Sequence, residues 1–275
     1  MNIPKILSIA GSDSGGGAGI QADLKTMTAL GCFGMTAITA ITAQNTLSVS
    51  AIETVSLNLI EAQIDAVFTD IGVDAVKVGM LGTPEIVEVV AKALTKWQPT
   101  IIIVDPVLKS TSGTDLGDQS TANALIKHLF PIATMITPNL DEAEIFIGRS
   151  MNELSDLNTI AHELLQFKSN SVLLKGGHLD TEFIELIDTL VTNDHDVVKS
   201  YLFKHPRIQT NNSHGTGCTL STAIACYLAK GLSLSKAVEH SISFVEKSLI
   251  ESSRLEIGQG VGPLWHMHEQ FKFSF

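Results

Sequence analysis

The chain has 275 residues, of which 44% are hydrophobic, and it carries a formal net charge of −11. This length suits one large α/β domain or two small ones, and the apolar content supports a sizeable core. The negative charge disfavours nucleic acids and anionic membranes as partners, because binding to phosphate-rich surfaces normally needs a basic face. A nucleotide-binding enzyme of this composition must rely on local positive features such as helix N-termini, single lysines or a bound cation.

The cellular setting is predicted from apolar runs and cysteine usage. No apolar run reaches the length of about eighteen residues that a membrane span needs, and the first residues lack the layout of a signal peptide. The cysteines Cys32, Cys218 and Cys226 have no metal-ligand spacing. Cys218 and Cys226 would lie about 12 Å apart on one helix, too far for a disulfide. We therefore expect a protein of the reducing cytoplasm.

Short β-branched runs alternate with helical patterns along most of the chain. The predicted strands are 6–10, 35–43, 75–78, 101–104, 135–137 and 172–174, followed by a weaker hairpin at 186–191 and 197–203. The predicted helices are 20–30, 59–68, 84–97, 120–129, 140–147, 154–167, 216–230 and 234–251. This alternation predicts a doubly wound, mainly parallel sheet covered by helices. Since no linker or repeat interrupts it, we expect a single domain, 1–275.

Polar and glycine residues follow directly after each of the first six predicted strands. Their clusters begin at Gly11, Gln44, Gly79, Asp105, Pro138 and Lys175. The carboxyl ends of parallel strands lie at one edge of a sheet, and ligands bind outside that edge. The sequence therefore predicts one site at which these clusters converge.

A glycine-rich turn at 214–219 leads into the helical pattern of 216–230. Such a turn leaves backbone N–H groups pointing outward at the positive end of the helix dipole, so Gly215, Thr216 and Gly217 are candidates for an anion cradle. Cys218 would lie in the first helical turn, where the same field favours a thiolate. Taken alone, this stretch is equally typical of a tight turn beside an inert core cysteine.

The glycine-rich segment 11–19 lies between a strand and a helix, as a dinucleotide-binding fingerprint does. The next strand runs into Gln44 instead of ending in Asp or Glu, which argues against a dehydrogenase. A floor for a small flat substrate fits better, with Asp23 on the following helix within reach. The alternative for Asp23 is a solvated helix carboxylate.

Side chains at the other strand ends suggest recognition of a ring and of phosphates. The carboxamide of Gln44 offers a donor and an acceptor, which suits a nitrogen heterocycle, although such a residue is also common in turns. Lys175 can neutralise phosphate oxygens, or extend from the strand end into solvent. His178 and His214 are interpreted as loop histidines, with a supporting role left open for His214.

Three residues are candidates for a cation site. A carboxylate at Asp105, after a strongly apolar strand, is costly unless it meets a cation or hydrogen-bond donors. Asn139 and Glu142 open a helix with the spacing of a capping box, so a plain helix start is one interpretation. The other places Asp105, Asn139 and Glu142 around Mg²⁺, through water molecules.

Seven segments, in order, resemble a known family. They are Ala-Gly-Ser-Asp-Ser-Gly-Gly-Gly-Ala-Gly-Ile-Gln-Ala-Asp-Leu-Lys at 10–25, Thr-Ala-Gln-Asn-Thr at 42–46, Val-Lys-Val-Gly-Met-Leu at 76–81, Val-Asp-Pro-Val at 104–107, Thr-Pro-Asn-Leu at 137–140, Leu-Lys-Gly-Gly-His-Leu at 174–179 and His-Gly-Thr-Gly-Cys-Thr at 214–219. Together they are similar to the hydroxymethylpyrimidine/phosphomethylpyrimidine kinases of thiamine biosynthesis, in the ribokinase superfamily. The resemblance extends over essentially the whole chain and implies a ribokinase-like three-layer α/β/α sandwich.

The resemblance also implies a reaction and roles for individual residues. ATP would phosphorylate the pyrimidine hydroxymethyl group and then the resulting monophosphate, with Mg²⁺ as cofactor and a homodimer as the assembly. The implied substrate-binding residues are Gln44, Gly11, Ala18, Asp23, Met80 and Val107. The implied catalytic residues are Gly215, Thr216, Gly217 and Cys218, the last at the position of the aspartate base in related sugar kinases. Asp105 and Glu142 would serve the metal, and Asn139 and Lys175 the nucleotide phosphates.

Two departures from the family pattern and two alternatives remain. Lys109 stands two positions before the usual place of a lysine in its loop, and the segment 182–187 matches poorly. The Ser/Thr/Gly-rich segment 111–117 is predicted to be a mobile lid. Pyridoxal kinase is the nearest alternative, and a non-catalytic pyrimidine-binding protein on the same scaffold is the other.

Overall fold

The computed structural model describes residues 3–109, 113, 115–150, 156–177, 185–194 and 197–270. Within them, nine strands form one sheet: β1 (Lys5–Asp13), β2 (Phe33–Gln44), β3 (Val49–Thr54), β4 (Ala75–Val78), β5 (Ile102–Val104), β6 (Met135–Ile136), β7 (Ser171–Leu174), β8 (Glu185–Asp194) and β9 (Val197–Pro206). The strand order is β3-β2-β1-β4-β5-β6-β7-β8-β9. The strands from β2 to β7 in this order pair in parallel, while β3, β8 and β9 pair antiparallel.

The helices connect and cover these strands. They are α1 (Gly19–Ala29), α2 (Leu57–Asp70), α3 (Pro84–Trp97), α4 (Gln119–Ala124), α5 (Leu140–Ile147), α6 (Leu157–Leu165), α7 (Thr216–Ala229) and α8 (Leu234–Ser252). The chain continues α4 as a π turn, Leu125–Leu129, and a 3₁₀ turn, Phe130–Ile132. None of the helices within the described ranges combines the length and apolar character needed to cross a bilayer.

The core lies on both faces of the sheet because the central strands carry apolar residues that point to both sides. In β5, Ile102 and Val104 belong to the core beneath α2 to α6, while Ile103 belongs to the core beneath α7 and α8. This alternation follows from the two-residue period of a strand. The predicted three-layer α/β/α sandwich with a mainly parallel sheet is therefore confirmed. The division into domains stays a prediction.

The structure differs from the predicted elements at two places. The edge strand β3 was not predicted, because most of its residues are exposed and it carries no buried alternation. Strand β1 runs past Ala10 to Asp13 with a register shift between Ala10 and Ser12, so part of the glycine-rich segment belongs to the sheet. His178, part of the expected lid at 111–117 and the start of the helix expected at 154 lie outside the described residues.

Candidate active site

A cavity of about 670 Å³ opens at the carboxyl edge of the parallel strands. Residues at or directly after the carboxyl ends of β1, β2, β4, β5, β6 and β7 line it together with the first turn of α7, as the convergence of polar clusters predicts. Of the predicted site residues, the cavity is lined by Gly11, Ala18, Gln44, Met80, Asp105, Val107, Asn139, Glu142, Lys175, Gly215, Thr216, Gly217 and Cys218. Asp23 is not among the lining residues.

The cradle at the start of α7 is a tight contact between two glycine-rich segments. Gly215 is the N-cap of α7 and has φ of 89° and ψ of 9°, a left-handed conformation that favours glycine. A Cβ atom on Gly215 would overlap the carbonyl oxygen of Gly17. The first N–H groups of a helix have no intrahelical acceptors, so those of Gly217 and Cys218 are available to an anion in the cavity, while the Thr216 N–H donates to the Ser213 carbonyl at 3.3 Å.

The thiol of Cys218 differs from the sequence-based expectation. Burial raises its pKa to about 11, and the nearby Lys77 ammonium only partly opposes this effect. The expected thiolate is therefore wrong for the ligand-free site, because desolvation outweighs the field of the helix N-terminus. The group beside the cradle is a protonated thiol at neutral pH.

Lys175 lies between two buried carboxylates. Its Nζ is 3.2 Å from Oδ1 of Asp105 and 4.0 Å from Oε2 of Glu142. The hydroxyls of Thr137 and Ser221 donate to Asp105 at 3.1 and 3.3 Å. Burial would raise the pKa of Asp105, but Lys175 and Lys77 hold it below its ordinary value. Asp105 is thus a charged acceptor at the cavity wall.

Asn139 and Glu142 form the capping box that one interpretation predicted. The side chain of Asn139 accepts from the Glu142 N–H at 2.8 Å, and Glu142 Oε2 accepts from the Asn139 N–H at 2.8 Å. Both residues also line the cavity, so the helix start and the candidate site coincide. Burial raises the pKa of Glu142 to about 7, against the opposing charge of Lys175.

The other half of the cavity is walled by Gly11, Ala18, Gln44, Met80 and Val107. A Cβ atom on Gly11 would lie 2.5 Å from the methyl group of Met80, so any larger residue there would require the Met80 side chain to move. This half combines apolar contact with the single carboxamide of Gln44, which suits a flat ring with polar edge atoms.

The structure places Asp23 behind the cavity, in a buried ion pair. Its carboxylate accepts from Lys77 Nζ at 3.0 Å on both oxygens, and both side chains are 0% exposed. The hydroxyls of Ser8 and Thr222 also donate to it, at 2.5 and 2.7 Å. Asp23 therefore neither lines the pocket nor lies in solvent, so both interpretations of it are wrong. Its partner Lys77 comes from a strand that is distant in the sequence.

The Asp23–Lys77 pair makes a testable contribution to stability. We expect Lys77→Met to lower the free energy of unfolding by about 3–5 kcal/mol, because it leaves a buried carboxylate without its cation. Adding Asp23→Asn should recover part of this loss, since the neutral amide can accept from one of the Ser8 and Thr222 hydroxyls through its oxygen and donate to the other through its nitrogen. Urea unfolding of both variants measures the difference, and an equal or larger loss in the double variant would contradict this view of the pair.

Sequence reasoning assigned no role to Asp13 or Lys77 and left the role of His214 open. Lys77 is the one charged residue in the otherwise apolar strand β4, which is a readable sign of a buried partner. Asp13 lines the cavity and is 3% exposed, and His214, interpreted as a loop histidine, contacts it at 2.9 Å. No local pattern links Asp13 and His214, because they are 201 positions apart.

Mg²⁺ can be tested against the donors that line the cavity. Among the described residues there is no cluster of three or more His, Cys, Asp or Glu side chains suited to a metal ion. Asp105 and Glu142 nevertheless share one cation, Lys175, at the cavity wall. Mg²⁺ in nucleotide sites is commonly held by one or two carboxylates with water and phosphate oxygens, so this donor set fits.

Comparison with known proteins supports the same interpretation of the chain. The family model described as phosphomethylpyrimidine kinase matches residues 13–265. The hydroxymethylpyrimidine/phosphomethylpyrimidine kinase of Rhizobium meliloti is 46% identical over 269 residues, covering 97% of this chain and 98% of the relative. The enzyme of the same name from Escherichia coli is 40% identical over 266 residues, covering 95% and 97%.

Solved structures extend the comparison to the fold. A phosphomethylpyrimidine kinase from Clostridium difficile is 43% identical, with a TM-score of 0.76. The match covers 90% of this chain and 100% of the kinase chain. A pyridoxal kinase from Bacillus subtilis, in complex with ADP, is 33% identical, with a TM-score of 0.88, and covers 98% and 100%. The fold is therefore ribokinase-like, and the chain belongs to the phosphomethylpyrimidine kinase family.

Proposed function

We propose that the protein uses ATP to phosphorylate 4-amino-5-hydroxymethyl-2-methylpyrimidine and then its monophosphate, giving the diphosphate used in thiamine biosynthesis. One observation carries the proposal: a single cavity joins the Gly215–Gly217 cradle and Lys175 to the ring-sized half around Gln44 and Met80. The kinases of the same family named above support it. Both transfers would use the same cradle, since each forms a bond from a substrate oxygen to the γ-phosphorus of ATP.

The proposed mechanism is mainly positioning and charge neutralisation, as phosphoryl transfer requires. The N–H groups at the start of α7 would hold the equatorial oxygens of the transferring group, and Lys175 would neutralise oxygens of the nucleotide. Asn139 would position the nucleotide phosphates. In the first transfer, the small fraction of Cys218 that is ionised would accept the proton of the substrate hydroxyl while the new O–P bond forms and the bond between the γ-phosphorus and its bridging oxygen breaks to release ADP.

Mg²⁺ would be held by Asp105 and Glu142, through water molecules. When bound, it would neutralise charge on the nucleotide phosphates. Side chains of the protein supply the other contacts in the nucleotide-binding half of the cavity. Ile242, Val245 and Leu249 of α8 line the same cavity and would offer an apolar contact to the base of the nucleotide.

The pKa of Glu142, about 7, predicts pH-dependent metal affinity. A proton on Glu142 competes with the cation, so affinity should fall as the pH decreases below about 7. We expect Mg²⁺ affinity of the enzyme saturated with a non-hydrolysable ATP analogue to fall about tenfold from pH 6.5 to 5.5. Glu142→Gln is the control, because the glutamine amide does not titrate in this range. The pH dependence of Mg²⁺ affinity in this variant then comes from the nucleotide phosphates alone. Identical pH dependence in both proteins would contradict the role of Glu142.

Pyridoxal kinase is the second candidate function. The pyridoxal kinase from Staphylococcus aureus, in complex with pyridoxal, is 32% identical with a TM-score of 0.87 and covers 98% of this chain. By TM-score its fold is more similar to this chain than that of the Clostridium difficile kinase, 0.87 against 0.76, although its sequence identity is lower, 32% against 43%. We favour the pyrimidine because Gln44 offers both a donor and an acceptor to the edge of a ring.

The direct test is ADP formation with hydroxymethylpyrimidine, its monophosphate and pyridoxal, each added alone. Turnover with both pyrimidines at higher kcat/KM than with pyridoxal supports the proposal. A clear preference for pyridoxal would show that the second candidate function, pyridoxal kinase, is the correct one. Binding of the pyrimidine without ADP formation would favour the non-catalytic alternative.

We also propose a cytoplasmic homodimer. The three cysteines, Cys32, Cys218 and Cys226, are all free, which suits a reducing compartment. The exposed apolar residues Ile41 and Ile52 of the neighbouring strands β2 and β3 offer a surface for a second copy. Sedimentation at micromolar concentration would distinguish a dimer from a monomer.

A further inference from the structure

The carboxylate of Asp13, at the end of β1, organises the glycine-rich floor of the cavity. Its Oδ1 accepts from the Gly15 N–H at 2.8 Å, and its Oδ2 accepts from the N–H groups of Gly17 and Ala18 at 3.0 and 2.9 Å. Nε2 of His214 lies 2.9 Å from the same Oδ2. Asp13 therefore joins the substrate floor to the residue that directly precedes the cradle glycine, Gly215.

These contacts determine which nitrogen of His214 carries a proton. Burial would raise the pKa of Asp13, but the hydrogen bonds from His214 and from the backbone hold it below its ordinary value. An ionised carboxylate accepts hydrogen bonds and donates none. Nε2 of His214 must therefore carry the hydrogen that points to Asp13.

The protonated Nε2 of His214 in turn determines how the carboxamide of Gln44 is oriented. The structure has the Gln44 amide nitrogen 3.2 Å from Nε2 of His214 and the amide oxygen 3.2 Å from Oγ1 of Thr42. A rotation of the carboxamide by 180° exchanges these two atoms without changing its shape, so the hydrogen-bond network decides between the two orientations. The protonated Nε2 has no lone pair that could accept from an amide N–H, whereas the amide oxygen can share the hydrogen that points to Asp13. The rotated orientation, with the amide oxygen toward His214, is therefore the favourable one. The Thr42 hydroxyl already donates to the Ser12 carbonyl at 2.9 Å, so it accepts from the amide nitrogen.

We propose that Asp13 and His214 are positioning residues that fix the Gln44 carboxamide with its oxygen toward His214 and its nitrogen toward Thr42. One lone pair and one N–H of the amide then remain for the substrate, in a fixed order around the ring edge. This inference rests on the proposed function, because it deepens the recognition of the pyrimidine. Asp13, Thr42, Gln44 and His214 all line the same cavity.

The fixed order favours one class of ring. The aminopyrimidine carries an exocyclic N–H beside a ring nitrogen, so its edge presents a donor and an acceptor to the matching pair on Gln44. Amides read such an edge with two hydrogen bonds in other recognition sites. Pyridoxal has no amino group beside its ring nitrogen, so it gains less from an oriented amide. The Asp13–His214 pair should therefore set substrate preference.

The test compares substrate preference in His214→Phe, Gln44→Leu and the double variant. Phenylalanine fills the space of the imidazole but cannot donate to Asp13 or Gln44. For His214→Phe we expect the ratio of kcat/KM for hydroxymethylpyrimidine to that for pyridoxal to fall about tenfold, as the loss of one good hydrogen bond predicts. In the Gln44→Leu background, His214→Phe should leave this ratio unchanged, because the two residues act through one contact.

The results distinguish a failure of the proposed function from a failure of the positioning role. A wild type inactive on the pyrimidine refutes the proposed function itself. If the wild type is active, two results overturn the positioning role. One is an equal loss of kcat/KM for both substrates in His214→Phe. The other is a double variant in which the two substitutions multiply their effects on the ratio of the two kcat/KM values. If His214→Phe does not fold, nitrogen NMR of ¹⁵N-histidine in the wild type decides: the proposal requires a hydrogen on Nε2 of His214, and an unprotonated Nε2 overturns it.

Discussion

Replacement of Gly215 by alanine is expected to lower kcat for hydroxymethylpyrimidine by about 10²–10³-fold, the usual effect of losing preorganised N–H donors at a transferring group. The added methyl group would overlap the carbonyl oxygen of Gly17, and the φ of 89° is unfavourable for any residue with a Cβ. Relief of this overlap must separate the cradle from the glycine-rich floor. The transferring phosphoryl group would then lose its alignment with the substrate oxygen.

A matched control lies at the other end of the same helix. Gly231 follows α7 with φ of 87°, and a Cβ atom there would have no neighbour within 4 Å. Gly231→Ala therefore imposes the same backbone strain, about 1 kcal/mol or slightly more, without touching the cavity. We expect a lower melting temperature with nearly unchanged kcat. Similar kcat losses in both variants would show that strain in α7, and not the cradle contact, controls activity.

The second large effect is expected for Cys218→Ala, which should lower kcat of the first transfer by about 10²–10³-fold, within the range for removal of a general base. The pH dependence identifies the reason. Burial raises the pKa of the thiol to about 11, and the thiolate is the form that accepts a proton. In the wild type, kcat/KM should therefore rise about tenfold per pH unit from neutral pH toward that value.

Cys218→Ser is the matched control for this prediction. Serine keeps nearly the same volume and can still form a hydrogen bond, but its hydroxyl does not ionise in this range. The variant should lose both the rate and the slope of the pH profile. A flat profile in the wild type, or a slope that persists in Cys218→Ser, would mean that Cys218 positions the substrate and does not remove its proton.

The predictable part of the fold is the part that repeats locally. The apolar run at 101–104 predicts a strand buried on both faces, and β5 occupies Ile102–Val104 with its side chains divided between the two cores. The convergence of strand-end residues follows from the parallel order alone, which is why almost all predicted site residues line one cavity. Strand β3 was missed because its side chains face solvent and leave no hydrophobic period.

The parts that could not be predicted depend on contacts between distant positions. Asp23 was assigned to the pocket because it follows the glycine-rich segment, whereas its partner Lys77 is 54 positions away. The pKa of Cys218 depends on how deeply the thiol is enclosed, which a sequence pattern does not reveal. The role of His214 depends on Asp13 and Gln44, which reach it from two other strands.

In the proposed function, one cavity carries out two successive phosphoryl transfers onto the pyrimidine. Phosphorus NMR of a single reaction with hydroxymethylpyrimidine, excess ATP and Mg²⁺ can follow both transfers. We expect a monophosphate signal that rises and then falls as the signals of the diphosphate appear. A monophosphate that accumulates without further change, or no phosphorylated pyrimidine at all, would contradict the proposed function.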